Sequence, residues 1–432
     1  MTHYNIKACS LCESDNLRHF QEIIKSPLAN NLFDSAFDSC QAFRYPLGLS
    51  QCLKCNHIQL SFSVDASQLF SNYAYKSGLS KAFRSHFQNY ANIVTKKYMN
   101  VFEQRQVRVL DIGCNDGFLL DCFSELGIEE TYGVDPAKNL TQELNQNHKI
   151  ITDFFGLKMS ASNNFKNLFS IITANNVFAH TRNLADFAKA VSYSLKDNGV
   201  FVFEVQYLKS MIENNLFDMI YHEHTSYHHL TPLVNILPNY GLNVVDAEIV
   251  ETHGGSLRVF CSNSTQDISI RMKDILAEED RFFGSIELTT YVLSDFYTNI
   301  NQTIKQFIDV IQNHINQGYS IWGYTAPAKA TTWLSCLPDE VIKSFDFIID
   351  DAALKQDKFL PGTQIPIKSL KSIQNNEREF LSDSQFNQFT QKSLGVIFSW
   401  NILQSLLQNL KSNSVGSSKY LTPLPEVKIL TT

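Results

Sequence analysis

The sequence predicts an α/β fold with two sheets of strands alternating with helices, preceded by a small metal-binding module. Three observations carry this. Val107-Arg-Val-Leu-Asp111 is a short apolar strand that closes on an acid, and the turn Gly113-Cys-Asn-Asp-Gly117 leads it into an apolar helix, Phe118 to Leu126. The strand–turn–helix pattern returns at Ser320-Ile-Trp-Gly-Tyr324, with a helix from Pro327. Ahead of both stand two C-x-x-C knuckles, Cys9-Ser-Leu-Cys12 and Cys52-Leu-Lys-Cys55.

A chain of 432 residues exceeds one ordinary core, and 44% hydrophobic with 18% charged residues fits globular domains. The patterns divide it into residues 1–70, 71–265 and 266–432. The net charge of -7 argues against bulk electrostatic binding of nucleic acid. The first fifteen residues hold no apolar segment of a signal peptide, and runs such as Val200–Phe203 are far too short to span a bilayer. A cytoplasmic chain without membrane contact is expected. Nine cysteines, an odd number scattered along the chain, do not read as a disulfide framework. Cys40, Cys122, Cys261 and Cys336 are isolated and expected to be buried.

In order, residues from about 71 to 105 read as helical, with Phe83, Phe87, Tyr90, Ala91 and Val94 on one face. After the loop of Gly113, Thr131-Tyr-Gly-Val-Asp135 is a second strand ending on an acid. Ile150-Ile-Thr152 and Ser170-Ile-Ile-Thr-Ala174 follow as strands, then a helix from about Ala185 to Leu195 and the strand Gly199–Glu204. Such alternation implies a parallel sheet with helices on both faces and ligands at its carboxyl edge. Beyond a helical stretch, Phe345–Asp350 and Leu394–Ser399 extend the second sheet. The tail after Asn413, rich in Ser and Pro, is expected to be irregular.

The loop Asp111-Ile-Gly-Cys-Asn-Asp-Gly117 departs from the dinucleotide pattern G-x-G-x-x-G. It matches the D/E-x-G-x-x-x-G loop of S-adenosylmethionine-dependent methyltransferases. That cofactor has no pyrophosphate to cradle; it carries an amino acid group, a ribose and an adenine. Gly113 permits close approach of backbone. Asp111, Asn115 and Asp116 line the loop, where acids attract the cationic end. Asp135 is placed to accept the ribose hydroxyls, and Asp153 with Phe154 to bind the adenine amine and cover its face. A nicotinamide-binding domain is the competing reading, and the loop together with Asp135 favours methyl transfer.

Two knuckles supply Cys9, Cys12, Cys52 and Cys55, the thiolates of a tetrahedral structural zinc site. Tyr221-His-Glu-His-Thr-Ser-Tyr-His-His229 holds four of the twelve histidines. His222 and His224 are too close in sequence for a helical H-E-x-x-H metal pair, and His224 with His228 is a weaker candidate at helical spacing. Acid–base chemistry is the better reading, with a histidine as base, Tyr221 donating to a developing oxyanion and Glu223 orienting its neighbours. Asn175-Asn-Val-Phe-Ala-His180 opens at the same edge. There Asn175 and Asn176 can read cofactor or substrate, and His180 is a second acid–base group. His253-Gly-Gly-Ser-Leu-Arg258 lines a substrate site or turns a hairpin. Lys329 meets a phosphate at a helix start or is solvated.

Together these motifs resemble the three-domain sugar C-methyltransferases of bacterial deoxysugar pathways. The resemblance runs from Cys9 to about Gln404. Besides the motifs above, it rests on Tyr45-Pro-Leu, on Leu69-Phe-Ser-Asn-Tyr-Ala-Tyr75 with Ser77 and Ser80, on Gly323-Tyr-Thr-Ala-Pro-Ala-Lys329, on Leu360-Pro-Gly362 and on Trp400-Asn401. It implies a zinc-binding module, a central methyltransferase domain and a C-terminal Rossmann-like domain that helps enclose a nucleotide-linked sugar. It implies methylation at C3 of a 4-keto deoxysugar, with His224 as base. Tyr221, Tyr75 or His180 then stabilises the enolate oxygen. The substrate residues it suggests are Tyr75, Ser77, Ser80, Asn176, His228, His253, Arg258 and Lys329. The helical surface of the last region serves domain packing or a dimer, so a monomer or homodimer is expected. Family members often carry Gly where this chain has Thr325. O- or N-methylation of a sugar and a non-enzymatic zinc-ribbon adaptor are the alternatives.

Overall fold

The computed structural model describes residues 3–71, 78, 81–98, 107–142, 144, 147–374, 392–413 and 419–431. The chain forms two compact units, each assembled from separated stretches: Met1–Phe20, Leu49–Ser210 and Glu223–Thr290 in the first, and Gln21–Gly48, Met211–His222 and Tyr291–Thr432 in the second.

The first unit opens with β1 (Leu17–His19), β2 (Leu49–Cys52) and β3 (Ile58–Leu60), a small antiparallel sheet around the knuckles. Helix α1 (Lys81–Tyr98) buries Phe87, Tyr90, Ala91 and Val94, the face its spacing predicts. Then come β4 (Arg108–Ile112), α2 (Phe118–Glu125), β5 (Glu130–Val134), β6 (Lys149–Ile151), β7 (Phe169–Asn175), α3 (Leu184–Ser194) and β8 (Leu195–Gln206). The unit continues with β9 (Ser226–Tyr227), α4 (Leu230–Ile236), β10 (Asn243–Val250), β11 (Ser256–Ser262) and α5 (Ile270–Phe283).

Seven of these strands form one sheet in the order β6-β5-β4-β7-β8-β11-β10. Strands β4 to β8 pair in parallel, as expected. Strand β11 is antiparallel to both neighbours, which corrects the expectation of a wholly parallel sheet. The connection from Val250 to Ser256 is too short for a crossover, so only an antiparallel hairpin closes it. Along β8, Phe201, Phe203 and Val205 enter one core while Val200 and Val202 enter the other. A central strand covered on both faces therefore reads as a continuous apolar run.

The hairpin decides the place of Arg258. It is 2% exposed, and its guanidinium pairs with Glu204 of β8 at 2.5 Å and Glu248 of β10 at 2.7 Å. His86 of α1 takes the other oxygen of Glu204 at 2.7 Å. The expectation that Arg258 lines a substrate site is thus corrected: the charge is consumed by a buried network that clamps α1 to the sheet.

In the second unit, α6 (Ile286–Asn316, part of this unit from Tyr291) precedes β12 (Ser320–Tyr324), α7 (Ala328–Ser335), β13 (Phe345–Ile349), β14 (Ile367–Lys368), β15 (Ser393–Ile397), α8 (Leu403–Ser412), β16 (Lys419–Thr422) and β17 (Lys428–Thr431). The sheet order is β14-β13-β12-β15-β16-β17, parallel except for β17. The tail is therefore not irregular. Its strands are four residues each, and the buried pair Tyr420 and Leu421 is too short an apolar signal to outweigh the surrounding Ser and Pro. Cys122 and Cys261 are buried and Cys336 half-buried, whereas Cys40 is exposed. Cys40 ends the short helix Ala36–Cys40, where Ser39 takes the inward position and donates to the Leu360 carbonyl. Among the described residues no helix is long and apolar enough to cross a membrane.

Candidate active site

The loop after β4 carries the first part of the site. Gly113 has φ +71° and donates its N–H to the Val134 carbonyl at 2.7 Å. A Cβ there would stand 2.3 Å from Val177 Cγ2 in a backbone region that disfavours side chains, so only glycine fits. Asp135, just past β5, accepts the Asn115 N–H at 3.0 Å and the Ala137 N–H at 2.8 Å. Each carboxylate oxygen keeps a second lone pair for a hydroxyl. Asp116 accepts the Gly78 N–H at 2.7 Å through one oxygen, and its other oxygen is buried without a partner.

These acids sit close together. Burial raises the Asp111 carboxyl to about 7, helped by the Asp135 and Asp116 charges, and burial also raises Asp135. Acids held this way favour a cation beside them. Asn175, closing β7, has both amide atoms buried without a hydrogen bond of normal geometry. Phe154 is 41% exposed beside Asp153, whose carboxylate accepts the Phe154 N–H at 2.7 Å. Orphaned acceptors, an exposed ring and a glycine passage make a cradle that fits a sulfonium nucleoside with an amino acid tail. One contributor escaped the sequence reading: Thr173 donates to Asp111 at 2.7 Å, and its only signal was a polar residue inside the apolar strand β7. Asp135→Ala is expected to weaken S-adenosylhomocysteine binding about 10- to 100-fold, the cost of hydrogen bonds to a charged group. Titration calorimetry checks it, and unchanged affinity would remove Asp135 from the cradle.

The second part is a pair of imidazoles. Beyond β7, the chain passes Asn176 (φ +56°) into the single turn Phe178–His180. The His180 ring lies 5.0 Å from that of His224 between centroids, and Phe70 stacks on the His180 ring at 5.5 Å. Both imidazoles are half-buried, and Glu223 between His222 and His224 is buried. Tyr221 falls in the second unit. Tyr75, Ser77 and Ser80 lie outside the described residues, as does the side chain of His253 in the turn Thr252–Gly254.

The segment from 222 to 229 is a turn followed by extended chain, not a helix, which corrects the metal pairing of His224 with His228 by helical spacing. His228 is 0% exposed, stacked 5.3 Å from Phe178, so its expected contact with substrate is corrected too. His229 packs 4.6 Å from Phe283. Glu279 of α5 closes the segment by accepting the Leu230 and Thr231 N–H groups at 2.6 and 2.8 Å, an acid capping α4 from another helix.

Burial lowers His222 to about 4 and both His228 and His229 to about 3. These groups stay neutral in the native chain and take protons on unfolding below about 6.5. Stability is therefore full above that pH and is lost as pH falls toward 3, by about 1.4 kcal/mol per pH unit for each histidine. Urea midpoints should fall steeply between pH 6.5 and 5, and a flat profile would contradict the burial.

In the knuckles, Cys9 and Cys55 Sγ are 3.7 Å apart and Cys12 and Cys52 Sγ 3.6 Å, with all four sulfurs within 4.8 Å of one another. The edge of a zinc–thiolate tetrahedron with 2.3 Å bonds is about 3.8 Å, so the set fits zinc. Hydrogen bonding to Cys52 pushes the Cys9 and Cys55 thiols up, while hydrogen bonds from Cys55 and Cys9 hold the Cys52 thiol down. Four protein ligands close the site, and its role is structural.

In the second unit, Thr325 follows β12 with φ +67°, a conformation that suits glycine. Its hydroxyl holds it there, bonded to the Tyr324 carbonyl at 2.6 Å and the Ser399 hydroxyl at 2.8 Å. Lys329 is 8% exposed; its ammonium donates to Asn401 at 2.7 Å and lies 4.4 Å over the Trp400 ring. It is buried rather than solvated, which corrects the expectation of a solvated lysine.

Family models match three consecutive stretches: a zinc binding domain over residues 9–70, a methyltransferase domain over 74–247 and a C-methyltransferase C-terminal domain over 251–425. The C-methyltransferase NovU of Streptomyces niveus is 27% identical over 431 residues, 98% of this chain and 97% of that one. Among solved structures, the CurJ carbon methyltransferase is 14% identical, with a TM-score of 0.36, covering 47% of this chain and 62% of that chain. Magnesium protoporphyrin IX methyltransferase (ChlM) from Synechocystis is 14% identical over 42% of this chain and 82% of its own, with a TM-score of 0.32.

Proposed function

The chain belongs to the three-domain C-methyltransferases that use S-adenosylmethionine and carry a structural zinc, and from that premise we propose that it methylates C3 of a nucleotide-linked 4-keto deoxysugar through an enolate. The observation that carries the reading is the His180–His224 pair, 5.0 Å between ring centroids and a few residues from the Gly113 passage through Val177. Carbon is a poor nucleophile until a proton beside a carbonyl is removed, so the reaction needs a base and a donor to the oxygen in one place. His224 takes the C3 proton. His180 donates a hydrogen bond to the C4 oxygen as charge builds there. Asp135 holds the ribose hydroxyls, Asp153 and Phe154 the adenine, and the acids around Asp111 the cationic end. When bound, the cofactor supplies the electrophilic methyl group that the C3 carbon accepts. The proton left on His224 passes to solvent, and the ketone returns. A keto sugar as substrate is favoured by the run of motifs shared with the sugar C-methyltransferases.

Solvent exchange tests this directly. In deuterium oxide with S-adenosylhomocysteine present, the chain should wash deuterium into C3 of a nucleotide-linked 4-keto deoxyhexose, read by NMR. Methylation of such a sugar without exchange would move the acceptor to oxygen or nitrogen.

A further inference from the structure

The histidine segment does not stand alone. Strand β9, which begins two residues after His224, is the fourth strand of the knuckle sheet, in the order β9-β3-β2-β1. Ser226 pairs with Gln59 and Tyr227 with Ile58, and the Leu60 N–H donates to the Thr225 carbonyl at 3.0 Å. The Ser226 hydroxyl lies 3.2 Å from that of Ser10, inside the first knuckle. Thr225, 4% exposed, is thus held from its backbone side by the zinc-binding module. Its side chain does something different. The Thr225 hydroxyl lies 3.1 Å from the Ala179 carbonyl and 3.1 Å from the Thr181 carbonyl, the two residues that flank His180. One hydroxyl, shared between two acceptors, ties both sides of one imidazole to the residue after the other.

We propose that Thr225 is a positioning residue for methyl transfer, setting the spacing of the His180 and His224 rings. The proposal rests on the roles given to those histidines above. Without the hydroxyl, the Ala179 and Thr181 carbonyls lose this donor and the turn Phe178–His180 is released from the segment of His224. A displacement of about 1 Å at reacting groups costs on the order of 100-fold in rate. The cofactor cradle hangs on β4, β5 and β7 and makes no use of Thr225, so cofactor affinity is untouched.

The test compares Thr225→Val, which keeps the shape and removes the hydroxyl, with Thr225→Ser, which keeps the hydroxyl, both in the full zinc-loaded chain. Three quantities are read: S-adenosylhomocysteine affinity by calorimetry, the nuclear Overhauser contact between the two rings in histidine-labelled protein, and kcat with KM for methyl transfer. Thr225→Val should bind the cofactor product within about twofold of wild type, lose the ring–ring contact and drop kcat about 100-fold, with KM within a few-fold. Thr225→Ser should restore contact and kcat. The contact is read without substrate, so it judges the positioning role even where the keto sugar proves wrong. An intact contact with wild-type kcat in Thr225→Val overturns the proposal. So does a Thr225→Ser as impaired as Thr225→Val, and if Thr225→Val does not fold, Thr225→Ser decides alone.

Discussion

His224→Ala is expected to lower kcat for methyl transfer by about 10²- to 10⁴-fold, the span of a lost general base, while S-adenosylhomocysteine binds as before. Nothing in the cradle uses His224: Asp135 is anchored by Asn115 and Ala137, and Asp111 by Thr173. The same variant should stop deuterium entering C3, because exchange and methylation share the proton removal. His180→Ala should slow both less, since a hydrogen bond to the oxygen is one part of the stabilisation. The pair of variants therefore separates the roles. If His224→Ala exchanges at the wild-type rate, the base is another group and the pairing of the rings has another purpose. If His180→Ala is the more damaged, the two assignments are reversed.

Loss of zinc is the second large effect. Structural zinc contributes about 10–16 kcal/mol to small zinc-dependent folds at neutral pH, and here the knuckle sheet also takes in β9, two residues after His224. Cys52 ends β2, its N–H donates to the His57 carbonyl at 2.8 Å, and β3 follows and pairs with β9. Cys12→Ser or Cys52→Ser should release the metal, measured as less than one zinc per chain. It should lower the melting temperature by about 10 °C or more, taking a few kcal/mol as the net loss. Methyl transfer should fall further than cofactor binding, because one face of the sheet packs Val109 and Ile171 against α1 and α2 in a core that holds no knuckle residue, although its other face shares a core with Cys9 and Cys52. Zinc-free protein that methylates at the wild-type rate would show that the knuckles are an independent appendage.

Much of this was legible locally. A strand that ends in an acid, followed by a glycine turn and a helix, announces itself within about fifteen residues. That is why Asp111, Gly113 and Asp135 were identifiable from the chain alone and lie together in the structure. Two knuckles of identical spacing are likewise local, and their sulfurs meet as expected. The apolar face of α1 and the parallel strands β4 to β8, β12, β13 and β15 followed from period, whereas the short strands β14, β16 and β17 did not. Charged and polar side chains were read less well. Arg258, His228 and Lys329 each resembled a ligand-binding group, and each is consumed by partners from distant parts of the chain. Thr225 and Glu279 gave no signal and Thr173 only a polar residue in an apolar strand, since what distinguishes them is an acceptor or donor 44 to 62 residues away.

The sequence by itself determined the α/β class, the methyltransferase loop and the metal site. These depend on spacing along the chain, and backbone geometry converts spacing directly into periodic structure. Only the tertiary structure decided which of the candidate residues face one another. It assigned Gln21–Gly48 to the second unit, gave β9 to the knuckle sheet and buried three of the four histidines of one short run. Burial and cross-strand register are set by the whole packed chain, where a titratable group must find a partner or stay neutral, and no window of sequence contains that information.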